Sequence, residues 1–355
     1  MRAHNFSAGP SALPLDVLLE LRDELPVYPD LGASLIEVSH RSKAYSEVHE
    51  RAKERLRRLA GLGSDWHVLF LAGGASMQFY QVPLNLLPPD GSADYLDTGI
   101  WSSKAIREAQ RVGLVNVAAS GAPSYAAIPE PETWQLSPRA AYLHYTSNNT
   151  VYGTQFAATP LADVPLVCDA SSDFLSRRLD LTRHGLIYAG AQKNLGPAGV
   201  TIVLVRQTML EARNPDLPTM LDYGTHAEGL FNTPPVFAVY LVEKVLAWLE
   251  REGGVNEMER RAGRKASLLY GRIDRSDFYT GLADASSRSS MNVTFRTPTP
   301  ALDARFAEEA AAEGLIGLKG HRTLGGLRAS LYNAVTVNDV AVLVSFMDTF
   351  EERYG

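Results

Sequence analysis

One cysteine, Cys168, is all this chain has. That excludes an internal disulfide framework and any thiolate metal cluster built from a single copy, so no metal site is expected and a reducing cytoplasm fits. Net positive charge is missing too. With 34 Lys and Arg against 40 Asp and Glu, the formal charge is −6, and no overall positive field draws in nucleic acid or anionic lipid. Any anionic ligand must be met by arginines gathered locally. No apolar run is long enough to cross a bilayer, and the opening "MRAHNFSAGPSALP" lacks an apolar core of signal-peptide length. The expectation is a protein that stays where it is made. Internal repeats, low-complexity tracts and charge blocks are absent as well.

What is present is enough apolar material, 45% of 355 residues with 21% charged, for two domains sharing a sizeable core. Short apolar runs alternate with amphipathic stretches: "HVLFL" (67–71), "ADYLD" (93–97), "LVNVAAS" (114–120), "AYLHY" (141–145), "PLVCDAS" (165–171), "LIYAG" (186–190) and "VTIVLVR" (200–206). Runs of this length read as buried strands of an α/β layer fold. Near Asn232 the pattern changes. Thr233 is positioned as the N-cap of a helix with prolines in its first turn, running through Trp248. A second long helix follows, with Asn256 as a cap and Glu259 as its capping-box partner. A strand-like "SSMNVTFR" (289–296), a helix-like stretch over 301–314, "LRASLY" (327–332) and a terminal helix complete the chain. The domain boundary is expected near residue 255.

Three features lie at the ends of successive predicted strands, where open α/β sheets place their ligands. In "LAGGASMQF" (71–79), Gly73 and Gly74 precede a helix start, a turn that aims free N–H groups and the positive end of a helix dipole at an anion. Asp169 directly follows "PLVC", as either a functional carboxylate or a cap for the next segment. Lys193 stands in the Gly-rich "GAQKNLGPAG" between two apolar runs. A Gly-Gly turn, a capping Asp and an exposed Lys each have a plain structural explanation alone. As a set they supply an amine for a Schiff base, a carboxylate for a pyridinium nitrogen and a helix N-terminus for a phosphate, the contacts pyridoxal 5′-phosphate (PLP) requires. Trp101, beyond another strand end, either stacks on the ring or packs in the core.

"HNFSAGPSALP" (4–14), "EVSHRSKAY" (37–45), "DASSDFLSRRLD" (169–180), "YAGAQKNLGPAG" (188–199), "FNTPPVFAVYL" (231–241) and "GLKGHRTLGGLRASLYNA" (317–334) resemble the hallmark segments of the phosphoserine aminotransferase family, class V, fold-type-I PLP enzymes. The resemblance is collinear over nearly the whole chain. It implies a large PLP domain (16–255) with a mostly parallel central sheet flanked by helices, a small C-terminal α/β domain (256–355), and an N-terminal segment (1–15) associated with the small domain. It also implies a homodimer with its site at the subunit boundary. By matching segment, Lys193 resembles the lysine holding the cofactor, Asp169 the partner of the ring nitrogen, Trp101 the stacked residue and Thr150 the residue bonding O3′. Ala75, Ser76 and Gln192 resemble the phosphate cup, which Asn232 and Thr233 complete from the other subunit. Many relatives carry Gly-Arg where this chain has Ala75-Ser76, which removes one positive charge from the cup.

His40 and Arg41, with His321 and Arg322, match the positions reading the substrate phosphate or the glutamate side-chain carboxylate, and Arg328 matches the α-carboxylate clamp. An arginine fork suits that task because it grips a carboxylate through two bonds. The implied reaction is 3-phosphohydroxypyruvate + glutamate ⇌ phosphoserine + 2-oxoglutarate, with 4-phosphohydroxythreonine of vitamin B6 synthesis as a further candidate substrate. Three other classes fit the residues less well. A sulfur-accepting desulfurase needs a reactive cysteine on a mobile loop, whereas Cys168 sits in an apolar run. A dinucleotide-dependent oxidoreductase lacks its motif, since no G-x-G-x-x-G follows a strand-like run, and no G-x-x-x-x-G-K-[ST] occurs either. A non-catalytic PLP-binding protein has no need of two His-Arg pairs.

Overall fold

A computed structural model describes residues 2–355. Its centre is a seven-stranded sheet in the spatial order Trp66–Leu71, Thr201–Arg206, His184–Gly190, Leu166–Asp169, Ala140–Thr146, Ser92–Asp97, Leu114–Ser120. Only Thr201–Arg206 runs against its neighbours; every other pairing beyond it is parallel. The apolar runs are continuous because both faces of this sheet are buried. Along Leu186–Ala189 and Ile202–Val205, successive side chains alternate between two apolar cores. One core holds Ile187, Ala189, Ile202 and Leu204, roofed by helices Lys43–Ala60 and Val236–Arg251. The other holds Leu186, Tyr188, Val203 and Val205, roofed by Gly74–Leu86 and Ile100–Ala109. All seven sheet strands expected from the sequence are present, with no end shifted by more than two residues.

A third core forms around an antiparallel sheet of Thr280–Gly281, Asn292–Arg296 and Leu327–Ser330, packed by helices Pro300–Ala312 and Val337–Tyr354. The N-terminal strand His4–Asn5 pairs with Leu315–Ile316 and buries Phe6 in this core. Helix Gly254–Asp274 joins the two regions: Val255 and Met258 pack with the large core, Ala266, Leu269 and Ile273 with the C-terminal one.

Both expected caps are displaced. The first long helix starts at Val236 with Pro235 as N-cap, so Thr233 lies outside it. The cause is local: a residue before proline is pushed out of the α region, and Pro234 and Pro235 hold both Thr233 and Pro234 extended. The second starts at Gly254, two residues ahead of Asn256, because Gly253 takes a left-handed conformation (φ 101°) that turns the chain tightly between the helices. Asn256 instead accepts a hydrogen bond from Arg178 Nε, and Glu259 forms no capping box. Among the described residues no helix is long and apolar enough to cross a membrane, and no cluster of metal-ligating side chains occurs.

Candidate active site

The parallel strands all end at one edge of the sheet, and Gly73, Trp101, Thr150, Asp169 and Lys193 stand at or just beyond those ends. Lys193 follows Gly190, the last residue of its strand. Its Nζ donates to Thr150 Oγ1 at 2.8 Å. The N-terminal segment holds its backbone: Ser11 N–H donates to the Gln192 carbonyl at 3.0 Å and Ser11 Oγ to the Lys193 carbonyl at 2.5 Å. Burial lowers the Lys193 pKa to about 8; the Asp169 carboxylate opposes that shift and Arg328 adds to it. A neutral fraction at physiological pH is what a nucleophilic amine requires.

Asp169 ends the neighbouring strand, buried, with Thr146 and Tyr188 level on either side. One oxygen accepts the Ser171 N–H at 3.0 Å, so the local capping bond considered from sequence is present. Burial raises the Asp169 pKa, and the Lys193 charge pulls it back. These two groups feel each other, yet no ion pair within 4 Å joins them. That separation suits a group whose two reactive ends face opposite ways.

Gly73 caps helix Gly74–Leu86 in a left-handed conformation (φ 93°), and a Cβ there would lie 2.6 Å from Met77 Cβ. Ala75 and Ser76 lie in the first turn, where N–H groups have no intrahelical partner and no carboxylate competes for them. Gln192 folds back against Gly190. Trp101 sits in the first turn of helix Ile100–Ala109, half-buried, its Nε1 shielded from water and without a partner.

Arg328, on strand Leu327–Ser330, reaches across from the C-terminal sheet to donate through Nη1 to the Thr150 carbonyl at 3.3 Å, and its Nε is buried and unpartnered. His321 is close enough that burial and then Arg328, Arg322 and Lys104 hold its pKa below the usual imidazole range. Among the described residues none of His321, Arg322, Arg328 or Lys104 forms an ion pair, although the molecule pairs its arginines freely elsewhere. A cavity of about 540 Å³ lined by Arg58, Arg177 and Arg178 makes the contrast. There Arg58 is bound to Glu250 and Arg177 to Asp173.

The other candidates form a second group. His40 Nδ1 lies 3.3 Å from Thr233 Oγ1, and Asn232 donates to the Thr233 carbonyl. Arg41 is exposed beside them in sequence. Among the described residues no hydrogen bond or ion pair joins this group to Lys193, Asp169, Thr150 or Arg328. Two site residues escaped sequence reading. Ser11 lies within the segment "HNFSAGPSALP", but nothing in that segment marks its contact with Lys193. Lys104 had one signal, its place one turn after Trp101, and its Nζ lies 4.3 Å from the Trp101 ring centroid.

The sequence pattern of the family described as Aminotransferase class-V matches residues 3–343. The chain belongs to that family. Among class-V aminotransferases it is 52% identical to the phosphoserine aminotransferase of Desulfosudis oleivorans, over 100% of this chain and 99% of that one. The solved phosphoserine aminotransferase of Bacillus circulans subsp. alkalophilus superposes with a TM-score of 0.97 at 48% identity, covering 100% of this chain and 99% of that one. A PLP-bound phosphoserine aminotransferase from Trichomonas vaginalis gives 0.95 at 39% identity, covering 98% and 100%.

Proposed function

We propose that this class-V aminotransferase is a phosphoserine aminotransferase, moving an amino group between glutamate and 3-phosphohydroxypyruvate with PLP as its cofactor. The observation that carries the substrate is the group of unpaired cations beside Lys193, which asks for a ligand carrying an anion at each end. Full-length relatives of that name say which one.

The residues fit the cofactor. A depressed amine and a buried carboxylate are held apart at adjoining strand ends, a carboxylate-free helix N-terminus stands at the same sheet edge, and the Trp101 indole N–H is shielded without a partner. Bound there, PLP supplies an aldehyde that captures the amine and a ring that accepts the electron pair left at the substrate Cα. Lys193 would hold it and, once freed, accept the Cα proton, which its pKa near 8 suits. Asp169 would keep the ring nitrogen protonated. Its own raised pKa is countered when a cation stands beside it. Arg328 would clamp the α-carboxylate, its geometry fixed by the Thr150 carbonyl. His321 and Arg322 would meet the distal anion, and Ala75, Ser76 and Gln192 the cofactor phosphate.

The His40–Thr233 contact supports a homodimer in which His40, Arg41, Asn232 and Thr233 serve the neighbouring subunit's site. Exposed Ile36, Phe231 and Phe237 adjoin these residues in sequence, apolar area that a partner would cover. We divide the chain at about residue 255, the N-terminal 15 residues riding with the C-terminal part, and place the protein in the cytoplasm, where a lone thiol stays reduced. The same site would take 4-phosphohydroxythreonine, which would add vitamin B6 synthesis to serine synthesis.

The test is direct. The purified protein should absorb visible light, borohydride should bleach that colour and fix the cofactor on Lys193, and phosphoserine with 2-oxoglutarate should give glutamate. A chromophore without phosphoserine turnover would retire the substrate and leave the cofactor.

A further inference from the structure

The first turn of helix Ile100–Ala109 is built as a rigid platform. The N–H groups of Thr98 and Gly99 both donate to Ser102 Oγ at 2.9 Å, and Ser103 Oγ donates to Asp97 at 2.6 Å. This platform is pressed onto the turn that carries Thr150: a Cβ on Gly99 would lie 2.9 Å from Asn149 Oδ1 and 3.2 Å from Tyr152. Thr150 is the residue that touches both Lys193 and Arg328. Lys104 follows directly on this fixed turn, its Nζ 4.3 Å from the Trp101 ring centroid. Among the described residues it has no carboxylate partner. Its charge reaches His321, where it adds to Arg328 and Arg322. Cations gathered with no acid among them repel one another, in a chain whose net charge of −6 leaves acids to spare; the cost is recovered when an anion enters.

We propose that Lys104 is a specificity residue that reads the distal anion of the substrate, standing with His321 and Arg322 as a point charge on the Trp101 side of the site. This rests on the phosphoserine aminotransferase reading and deepens it. A lysine ammonium is a compact, mobile charge without a fixed fork, so it answers to the amount of negative charge rather than to its shape. It should favour a phosphate dianion over a carboxylate monoanion, and a carboxylate over a neutral hydroxyl.

The experiment compares wild type, Lys104→Gln and Lys104→Arg on three amino donors whose distal groups carry two, one and no negative charges: phosphoserine, glutamate and serine. In Lys104→Gln the ratio of kcat/KM for phosphoserine to that for serine should fall about tenfold and the glutamate-to-serine ratio about threefold, with Lys104→Arg recovering most of both. Inorganic phosphate titrated into the holoenzyme by calorimetry should bind about tenfold more weakly to Lys104→Gln. Equal losses on all three donors would mean that Lys104 only supports Trp101, and unchanged ratios or unchanged phosphate affinity would overturn the proposal. Failure of wild type to turn over phosphoserine would remove the underlying reading as well, and that result is seen before any variant is made.

Discussion

Lys193 is held where its charged form is disfavoured, and that cost is visible in stability as well as in chemistry. Its folded pKa of about 8 lies below the 10.5 of an unfolded lysine, so between those values the unfolded chain binds more protons and stability rises with pH. Below pH 8 the full penalty, about 3 kcal/mol, is present. Lys193→Met in the cofactor-free protein should therefore be more stable than wild type at pH 7, with the advantage fading as pH approaches 10.5, while its transamination is abolished. Denaturant unfolding at several pH values checks the first part, and a flat difference across pH would refute the burial argument. Asp169→Asn tests the other end of the site. Without a carboxylate the ring nitrogen is less readily kept protonated, so turnover should fall by two or more orders of magnitude with the cofactor still bound. Unchanged kinetics would reduce Asp169 to the turn contact it makes with Ser171. Both residues were legible in the sequence because a strand end fixes where its next side chain must stand. Ser11 and Lys104 were not, since Ser11 meets Lys193 across 182 positions of chain and nothing in its own neighbourhood records that contact.

Elements were the most legible level. The sheet strands showed as apolar runs because both faces of the sheet are covered, and the alternation between two cores within Leu186–Ala189 could not be read as one amphipathic face. Helix starts were less so. The capping residue types at Thr233 and Asn256 pointed to starts that Pro234-Pro235 and Gly253 overrode, because backbone restriction decides before a side-chain hydrogen bond can form. At Gly73 the backbone requirement and the function coincide: the positive φ aims the first turn of Gly74–Leu86 at the site, and a Cβ would strike Met77. Gly73→Ala should cost about 1–3 kcal/mol of stability and weaken cofactor retention severalfold, because the turn must open to admit the methyl. Thermal unfolding and cofactor titration of the variant are the checks. Wild-type values in both would show that this turn is free to adjust.

At the scale of the whole molecule, the chain gathers Lys193, Asp169, Thr150 and Arg328 in one place and sets His40 against Thr233 in another. Sequence order alone does not show that division, because residues far apart in the chain are brought together or kept apart only by the fold; the resemblance assigns Asn232 and Thr233 to the other subunit but leaves His40 and Arg41 grouped with His321 and Arg322. If the second group serves the neighbour, lesions in the two groups complement. Lys193→Ala subunits retain a sound His40–Thr233 group for their partner, and Arg41→Ala/Thr233→Ala subunits retain a sound lysine. In a hybrid dimer one site then carries both lesions and the other carries none. Unfolding and refolding the two inactive parents together should place half the chains in hybrids, each with one good site, and return about a quarter of wild-type activity. The parents refolded separately should stay at background, which controls for residual activity in either. If both groups belonged to a single subunit, every site in the hybrid would carry one lesion and mixing would recover nothing. That outcome would send His40, Arg41, Asn232 and Thr233 back to the surface.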